Sequence, residues 1–377
     1  MVNSRILDEF IELINIPSPT LGERKMADAL KGKLTELGME VYEDNAGEEI
    51  SGSCGNVIGV LKGTKGIPLV LCAHMDRVPN GDNIKHVIKD GKIMSEKDTI
   101  LAADDVSGIT AILAGIRILK EKAVDHGDVY VVFTISEERL ARGSKYLDYS
   151  LIDAKHSYCL DSPGRIGRII NSAPTKVQFF VDVYGKAAHA GQVPEKGINA
   201  LKAAAKILAD IKEGRIDYET TANWSVIKAT DVTNVVCEHT QIIGEARSRD
   251  IKKLDAYVAY VKKHCEDVIA KTNAKVCVRV EHCFDGFRID EEDELLTTLC
   301  TVLENRGIKP VVEAGGGGMD ANRFNKKGIK SVGVATGYFN NHSVNEELYI
   351  EDLEKSAQMV YDLICAYSEK ERSLYEK

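Results

Sequence analysis

Four runs in the first half of the chain, NVIGVL (56–61), PLVLCA (68–73), VYVVF (129–133) and SYCLD (157–161), are apolar at nearly every position. Successive strand side chains point to opposite faces, so a strand that is apolar throughout has both faces out of water. This constrains the fold more than any other feature, because such strands belong in a sheet covered by helices on both sides. The helices are legible between the strands. Ile6, Leu7, Phe10, Ile11 and Ile14 recur at helical spacing, as do Met26, Leu30, Leu34 and Leu37. Ile109, Ile112, Leu113, Ile116 and Leu119 mark a further helix just after LAADDVSG.

The pattern changes after SPGRIGRIINSAP. TKVQFFVDVYG alternates as a half-buried strand does, and a helix follows through Ile198, Leu201, Ala204, Ile207, Leu208 and Ile211. Two strand-like pieces lie around WSVIKATDV and TQIIGEARSRD, a second helix carries Leu254, Val258, Val261, Cys265 and Val268, and AKVCVRVEHC closes the unit. The order β-α-β-β-α-β predicts a small antiparallel sheet with two helices on one face. From about Phe287 the first pattern resumes: a helix near 295–303, the glycine run EAGGGGMDANRF, the apolar strand KSVGVATG and a last helix through Leu353, Ala357, Val360 and Ile364. The expected domains are 1–173 with 286–377, and 174–285 inserted between them.

At 377 residues the chain suits two domains. Its formal net charge is −9 and its basic residues are dispersed, so nothing gathers to neutralise a phosphate backbone and nucleic acid is set aside as a partner. No apolar stretch approaches the length of a membrane span, and MVNSRILDEFIELINIPSPT reads as a helix start rather than a signal peptide. A cytoplasmic protein with no membrane partner is expected. The nine cysteines include no CxxC pair, and several sit in strand-like runs (Cys72, Cys159, Cys277), which predicts reduced, buried thiols. His86, His126, His156, His239, His264 and His282 carry no pattern and are expected at the surface.

Residues able to do chemistry gather at the strand ends, where open α/β sheets place their ligands. They are His74 and Asp76 in AHMD, Asp104 and Asp105 in ADD, Glu137 and Glu138 in SEE, Asp161 in SYCLD and His342 in NNHS. Each taken singly has a plainer reading. Asp104 and Asp105 fit an N-cap and a first-turn acid; Glu137 and Glu138 fit a solvated loop edge, His74 a hydrogen-bonded core histidine, Asp161 the end of a strand. Together they supply two imidazoles and more than three carboxylates. Those donors suit zinc and its neighbours, in a pair of ions sharing a carboxylate, with one carboxylate to spare for a general base.

The motifs HMD, ADDVSG, SEE, LDSPG, GGGGMDANRFN and NNHSVNEE run in this order over nearly the whole chain. They resemble those of the di-zinc exopeptidase family of peptidase T, glutamate carboxypeptidase and the aminoacylases, with peptidase T-like aminopeptidases the nearest likeness. The resemblance implies a phosphorylase/hydrolase-like α/β/α catalytic domain and a ferredoxin-like inserted domain that acts as lid and homodimerisation surface. It implies two Zn2+ per subunit, with Co2+ or Mn2+ as substitutes. His74, Asp104 and Asp161 fall on the ligands of one ion, and Asp104, Glu138 and His342 on those of the other. Glu137 falls on the general base, and Asp76 on the acid that accepts the ring N–H of His74.

The same likeness extends to substrate. His189, in YGKAAHAG, falls on a histidine that donates to the developing oxyanion, often in the second subunit's site; a loop histidine is the plainer reading. Arg247, in GEARSRD, falls on a basic residue that meets a substrate carboxylate, with Asn234 as a hydrogen-bonding neighbour; a salt bridge to Glu245 or Asp250 is the alternative. Gly317 and Gly318 belong either to a flexible turn or to backbone that approaches the substrate closely, in a loop that Asp320 and Asn322 would fix. The implied activity is release of the N-terminal residue of tripeptides by a metal-bridging hydroxide, with Glu137 moving the proton. A dipeptidase, a carboxypeptidase or an N-acyl amino acid deacylase would use the same centre, and a non-catalytic binding relative would lack a ligand or the base. Three residues depart from the family pattern: Arg77 where a small hydroxyl residue is common, Val106 where lysine is frequent, and Leu140 where EExG has glycine. Leu140 leaves open how the loop after Glu138 turns.

Overall fold

The structure is a computed structural model that describes residues 4–96 and 98–371. The first three residues of the expected N-terminal helix start and the last six of the chain lie outside them. The chain falls into two compact units, Met1–Ser172 with Arg288–Lys377, and Ala173–Phe287.

In the larger unit Glu40–Glu43, Val57–Leu61, Val129–Thr134, Leu69–His74, His156–Ser162, Lys330–Ala335 and Arg168–Ala173 are neighbours in that order within a nine-stranded sheet. Val311–Ala314 runs parallel to Arg168–Ala173. Every residue of Val57–Leu61, Leu69–His74 and Val129–Thr134 is buried, as strands that are apolar on both faces require. Leu69–His74 lies between two parallel partners, with His74 in register with Thr134 and Cys72 with Cys159. Three strands running the same way bring their C-terminal ends to one edge, which is where His74, Glu137, Glu138 and Asp161 stand. The helix Ala103–Glu121 is buried over most of its length and packs on the last helix, Ile350–Ser368. Gly115 permits that approach, since a Cβ there would overlap Val360.

A four-stranded sheet of Tyr338–Phe339, Glu347–Tyr349, Lys92–Ser95 and His86–Lys89 is an element that sequence periodicity does not announce. Its strands are two to four residues long, too short to develop a period. It matters because the loop between its first two strands carries His342.

In the smaller unit Thr220–Lys228, His239–Ser248, Thr175–Tyr184 and Lys275–Phe284 form an antiparallel sheet in that order, extended by the short Gly214–Arg215. Val177, Phe179, Val181 and Val183 alternate inward to a core shared with Ala204 and Ile207 of the helix Ala200–Asp210 and Leu254, Val261 and Cys265 of Ile251–Ile269. Both helices start on a side-chain cap: Asn199 accepts from the Lys202 N–H at 2.9 Å and Asp250 from the Lys252 N–H at 2.8 Å.

Two surface expectations fail. His156 is buried at the start of its strand, with Nδ1 2.8 Å from the Tyr367 hydroxyl of the last helix. Cys277 is exposed, because Lys275–Phe284 alternates between a covered face and an open one and Cys277 falls on the open side. All nine cysteines are free thiols. Among the described residues no helix is long and apolar enough to cross a membrane.

Candidate metal centre

His74 ends its strand with a side chain that is 1% exposed. Its Nε2 lies 3.0 Å from Asp104 Oδ1 and 3.8 Å from Asp161 Oδ1. On the other side of Asp104, His342 Nε2 lies 3.3 Å from Asp104 Oδ2 and 2.9 Å from Glu138 Oε1. One donor atom from each of His74, Asp104 and Asp161 falls within 4.8 Å of the others, and the same holds for Asp104, Glu138 and His342. Asp104 belongs to both groups.

The charges in this cluster are mutually frustrated. Burial pushes Asp161 up to about 8, against the pull of His74 and with the help of Asp104 and Glu138. Burial and then Asp161 hold Glu137 well above the usual carboxylate range, and burial raises Glu138 despite its hydrogen bond with His342. Burial alone would lower His74, but Asp161, Asp104 and Asp76 hold it well above the ordinary histidine range; hydrogen bonds to Asp104 and Glu138 raise His342 to about 10. Asp104, which burial would raise, is lowered by the two imidazoles that flank it. So many carboxylates in low dielectric cannot all ionise without cations beside them. Two divalent ions on imidazole and carboxylate donors answer both the charge and the donor chemistry, so the residues present fit a two-ion site.

Much of the support comes from residues around these ligands. Asp105 accepts from the backbone N–H of His74 at 3.2 Å and from that of Gly108 at 3.1 Å, so it ties the strand end to the helix start. Of the adjacent aspartates, then, Asp105 does the capping and Asp104 reaches the cluster. Asp76 accepts from the Glu137 N–H at 2.8 Å and from the Thr20 hydroxyl at 2.7 Å. The His74 Nδ1 is nearer the backbone carbonyl of Asp76, at 2.9 Å, than its carboxylate, at 3.5 Å. The Asp76 carboxylate thus anchors the backbone of Glu137 and stands beside the His74 ring.

The loop after Thr134 answers the question raised by Leu140. Ser136, Leu140 and Ala141 take the left-handed conformation, with φ of 51°, 74° and 49°. Leu140 adopts the turn that glycine would adopt, at a cost of about 1–2 kcal/mol. Arg323 holds it there, donating to the carbonyls of Leu140 at 3.0 Å and Ala141 at 3.3 Å. The backbone is already turning at Ser136, so strand alternation no longer governs Glu137 and Glu138, and both line one cleft of about 320 Å³ with Asp104, Asp161 and His342. Gly317 and Gly318 line it too. Asp320 lies beneath, accepting from the hydroxyls of Thr134 and Ser144, and Asn322 accepts from the Met319 N–H at 3.0 Å.

Sequence reasoning passed over four contributors. Glu346 is 1% exposed, and its carboxylate accepts from the N–H groups of Leu101 and Ala102, each at 2.8 Å, and of Asp104 at 2.9 Å. Asn341 donates to Asp104 Oδ2 at 2.6 Å, the Tyr338 hydroxyl to Asp161 Oδ1 at 3.2 Å, and Glu23 accepts from the Ser136 N–H at 3.1 Å. Asn341 and Glu346 sit inside NNHSVNEE, where the histidine took the attention; Glu23 and Tyr338 carry no local signal. Arg77 proves structural: its buried guanidinium donates to the carbonyls of Ile14, Ile16 and Gly81 at 2.8–2.9 Å, fixing the end of the first helix.

The remaining expected site residues belong to the smaller unit. His189 is exposed, and its Nδ1 accepts from the Gly191 N–H at 3.2 Å. Asn234 lies beside it, its carbonyl accepting from the Ala190 N–H at 2.9 Å. Arg247 donates from Nε to Glu245 at 2.8 Å, the salt bridge that was its alternative reading.

Both the fold and the cluster are those of a metal-dependent hydrolase, and the comparisons with known proteins agree. Residues 175–273 match the peptidase dimerisation domain of the M20 family, and residues 56–188 match peptidase family M28. The aminopeptidase PepT from Bacillus cereus has a structure that superposes with a TM-score of 0.89 at 38% identity, covering 97% of this chain and 99% of that one. A tripeptidase from Staphylococcus aureus superposes with a TM-score of 0.93 at 32% identity, over 98% and 100% of the two chains. The Bacillus subtilis (strain 168) protein YqjE is 38% identical over 97% of this chain and 99% of its own, and peptidase T of Fusobacterium nucleatum is 27% identical over 78% and 72%. The chain belongs to the M20 peptidase family. Within that family it is a peptidase T-like enzyme, a peptidase built on the M20 fold with its dimerisation domain.

Proposed function

We propose that this chain is a cytoplasmic di-zinc aminopeptidase that releases the N-terminal residue of tripeptides and works as a homodimer paired through its inserted domain. The observation that carries the reading is the pair of donor groups sharing Asp104, with Glu137 beside them in neither group. His74, Asp104 and Asp161 would hold one ion, and Asp104, Glu138 and His342 the other. Ions bound there would polarise the scissile carbonyl and make water acidic enough to attack at neutral pH.

The chain's own residues do the rest. Glu137, which lines the cleft beside both donor groups and belongs to neither, takes the proton of the attacking water and returns it to the leaving amine. Asp76 holds the backbone of Glu137 in place for that transfer. Asp105 and Glu346 fix the backbone of His74 and Asp104. On the resemblance, His189 donates to the carbonyl oxygen as charge develops, and Arg247 and Asn234 meet the substrate. Gly317 and Gly318 form one wall of the cleft.

The test is a cleavage panel of di-, tri- and tetrapeptides with free and blocked ends, with metal content measured on the same preparation. The expected result is two ions per subunit, zinc preferred over cobalt or manganese, and cleavage of tripeptides only when the amino end is free. Efficient cleavage of N-acetylated peptides would replace the aminopeptidase by a carboxypeptidase or deacylase.

A further inference from the structure

The cleft that carries the acidic cluster also holds a cation that the proposed chemistry does not use. Arg168 opens the strand Arg168–Ala173, and Ile170 follows two positions later, so both side chains leave the strand on the same face. Both line the cleft of about 320 Å³ together with Glu137, Asp161 and His342. That volume is at the low end of small-molecule sites, which span roughly 300–1,000 Å³. A ligand filling the cleft beside the acids therefore also reaches Arg168.

The guanidinium is held in one direction. Its Nη1 donates to the Pro163 carbonyl at 2.5 Å and its Nε to the Glu313 carboxylate at 2.5 Å. The strands concerned are already paired, Arg168 with Val311 and Ile170 with Glu313. The ion pair is not needed to join them, and what it sets is where the guanidinium points. Both Nη2 hydrogens and one on Nη1 have no partner among the described residues, and the side chain keeps 31% of its exposure.

Charge settles the kind of ligand. On the proposed reading Asp104, Glu138 and Asp161 are taken up by ions and Glu137 by proton transfer, which leaves Arg168 as the charged side chain of the cleft lining that this chemistry does not use. The guanidinium is left, and its fork geometry matches a carboxylate. We propose that Arg168 is a specificity residue that binds a carboxylate of the peptide substrate, separately from Arg247 in the other unit. The inference rests on the peptidase reading and deepens it. The carboxylate can be the C-terminus or an acidic side chain, and the two are separable.

The experiment compares wild type, Arg168→Gln and Glu313→Gln on tri-alanine, its C-terminal amide, and an amidated tripeptide carrying one glutamate. Metal content is measured on each variant, and binding of all three peptides is followed by calorimetry. Losing a charge-assisted carboxylate contact predicts that Arg168→Gln lowers kcat/KM about 10- to 100-fold on the carboxylate-bearing substrate, through KM. The amide without glutamate should be unaffected, and metal content unchanged. Loss on tri-alanine alone assigns the C-terminus, and loss on the glutamate peptide alone assigns the side chain. Glu313→Gln should keep the discrimination, since Pro163 still holds the guanidinium. Equal losses on acid and amide, or no loss, would overturn the assignment. If wild type cleaves no peptide, the peptidase reading fails, and calorimetric binding of all three peptides to wild type and Arg168→Gln still decides the role of Arg168.

Discussion

The two donor groups share Asp104 and differ most at their histidines. His74 and Asp161 project from the ends of central parallel strands, with side chains 1% and 11% exposed. His342 sits on a loop of the small sheet, 48% exposed at its side chain, with Glu138 and Asp104 to orient it. Low dielectric and the exclusion of water strengthen the interactions around His74, whereas around His342 water competes. One half of the site takes its histidine from the sheet. The other takes its histidine from a loop.

Each prediction bears on that contrast, beginning with the residue that belongs to neither half. Glu137→Gln should lower kcat by about 10²- to 10⁴-fold, the usual worth of a general base, while both ions stay bound. A variant that stays active, or that loses an ion, would merge Glu137 into one of the donor groups. His342→Ala should lose one ion and keep the other, and in the unaltered protein a chelator should remove two ions in two separate steps. A single step in which both leave together would erase the distinction between the halves. Glu346→Gln should weaken both ions alike, by about 10- to 100-fold in affinity, because the amide cannot accept from all three N–H groups and the aspartate they position is common to both. Competition with a chromophoric chelator reads this directly, and unequal weakening would show that Asp104 is not shared.

A third histidine provides the control. His156 is buried like His74, in the neighbouring strand, but burial outweighs the distant acids and lowers it to about 4. The folded state thus prefers His156 neutral. Its contribution is complete above the unfolded value near 6.5 and is lost as pH falls toward 4, a drop of about 3 kcal/mol. Denaturant unfolding between pH 7 and 4 should show this loss, and His156→Gln should remove it. An unchanged slope in the variant would mean that His156 is solvated. The smallest effect is expected at Leu140→Gly: relief of the left-handed turn, offset by chain entropy, should change stability by less than about 1 kcal/mol, read as the thermal midpoint, with activity retained.

The legibility of the molecule follows the same division. The apolar runs 57–61, 69–73 and 129–133 demanded a sheet covered on both faces, and each of these three strands is buried throughout. The alternation from Thr175 announced a sheet with one open face, although it did not reveal that Cys277 would lie on that face. Strand-end acids and histidines were visible because open α/β sheets place ligands there. Glu346 was not visible. Its partners are 242 to 245 residues away in sequence, and nothing near it reports that its carboxylate will be buried. The small sheet escaped because strands of two to four residues leave no period.

What the sequence determined by itself is therefore whatever repeats or alternates: two domain grammars, the strand ends, and the donor types a metal would require. The tertiary structure alone decided the division of labour within each pair of neighbours. It set Asp105 to capping and placed Asp104 in both donor groups, and it set the Asp76 carboxylate between the Glu137 backbone and the His74 ring. It turned the loop at Ser136 and Leu140 so that two adjacent glutamates share one cleft. The physical reason is that burial and hydrogen bonding are assigned by neighbours distant in the chain, and a carboxylate's role depends on those neighbours more than on its own identity.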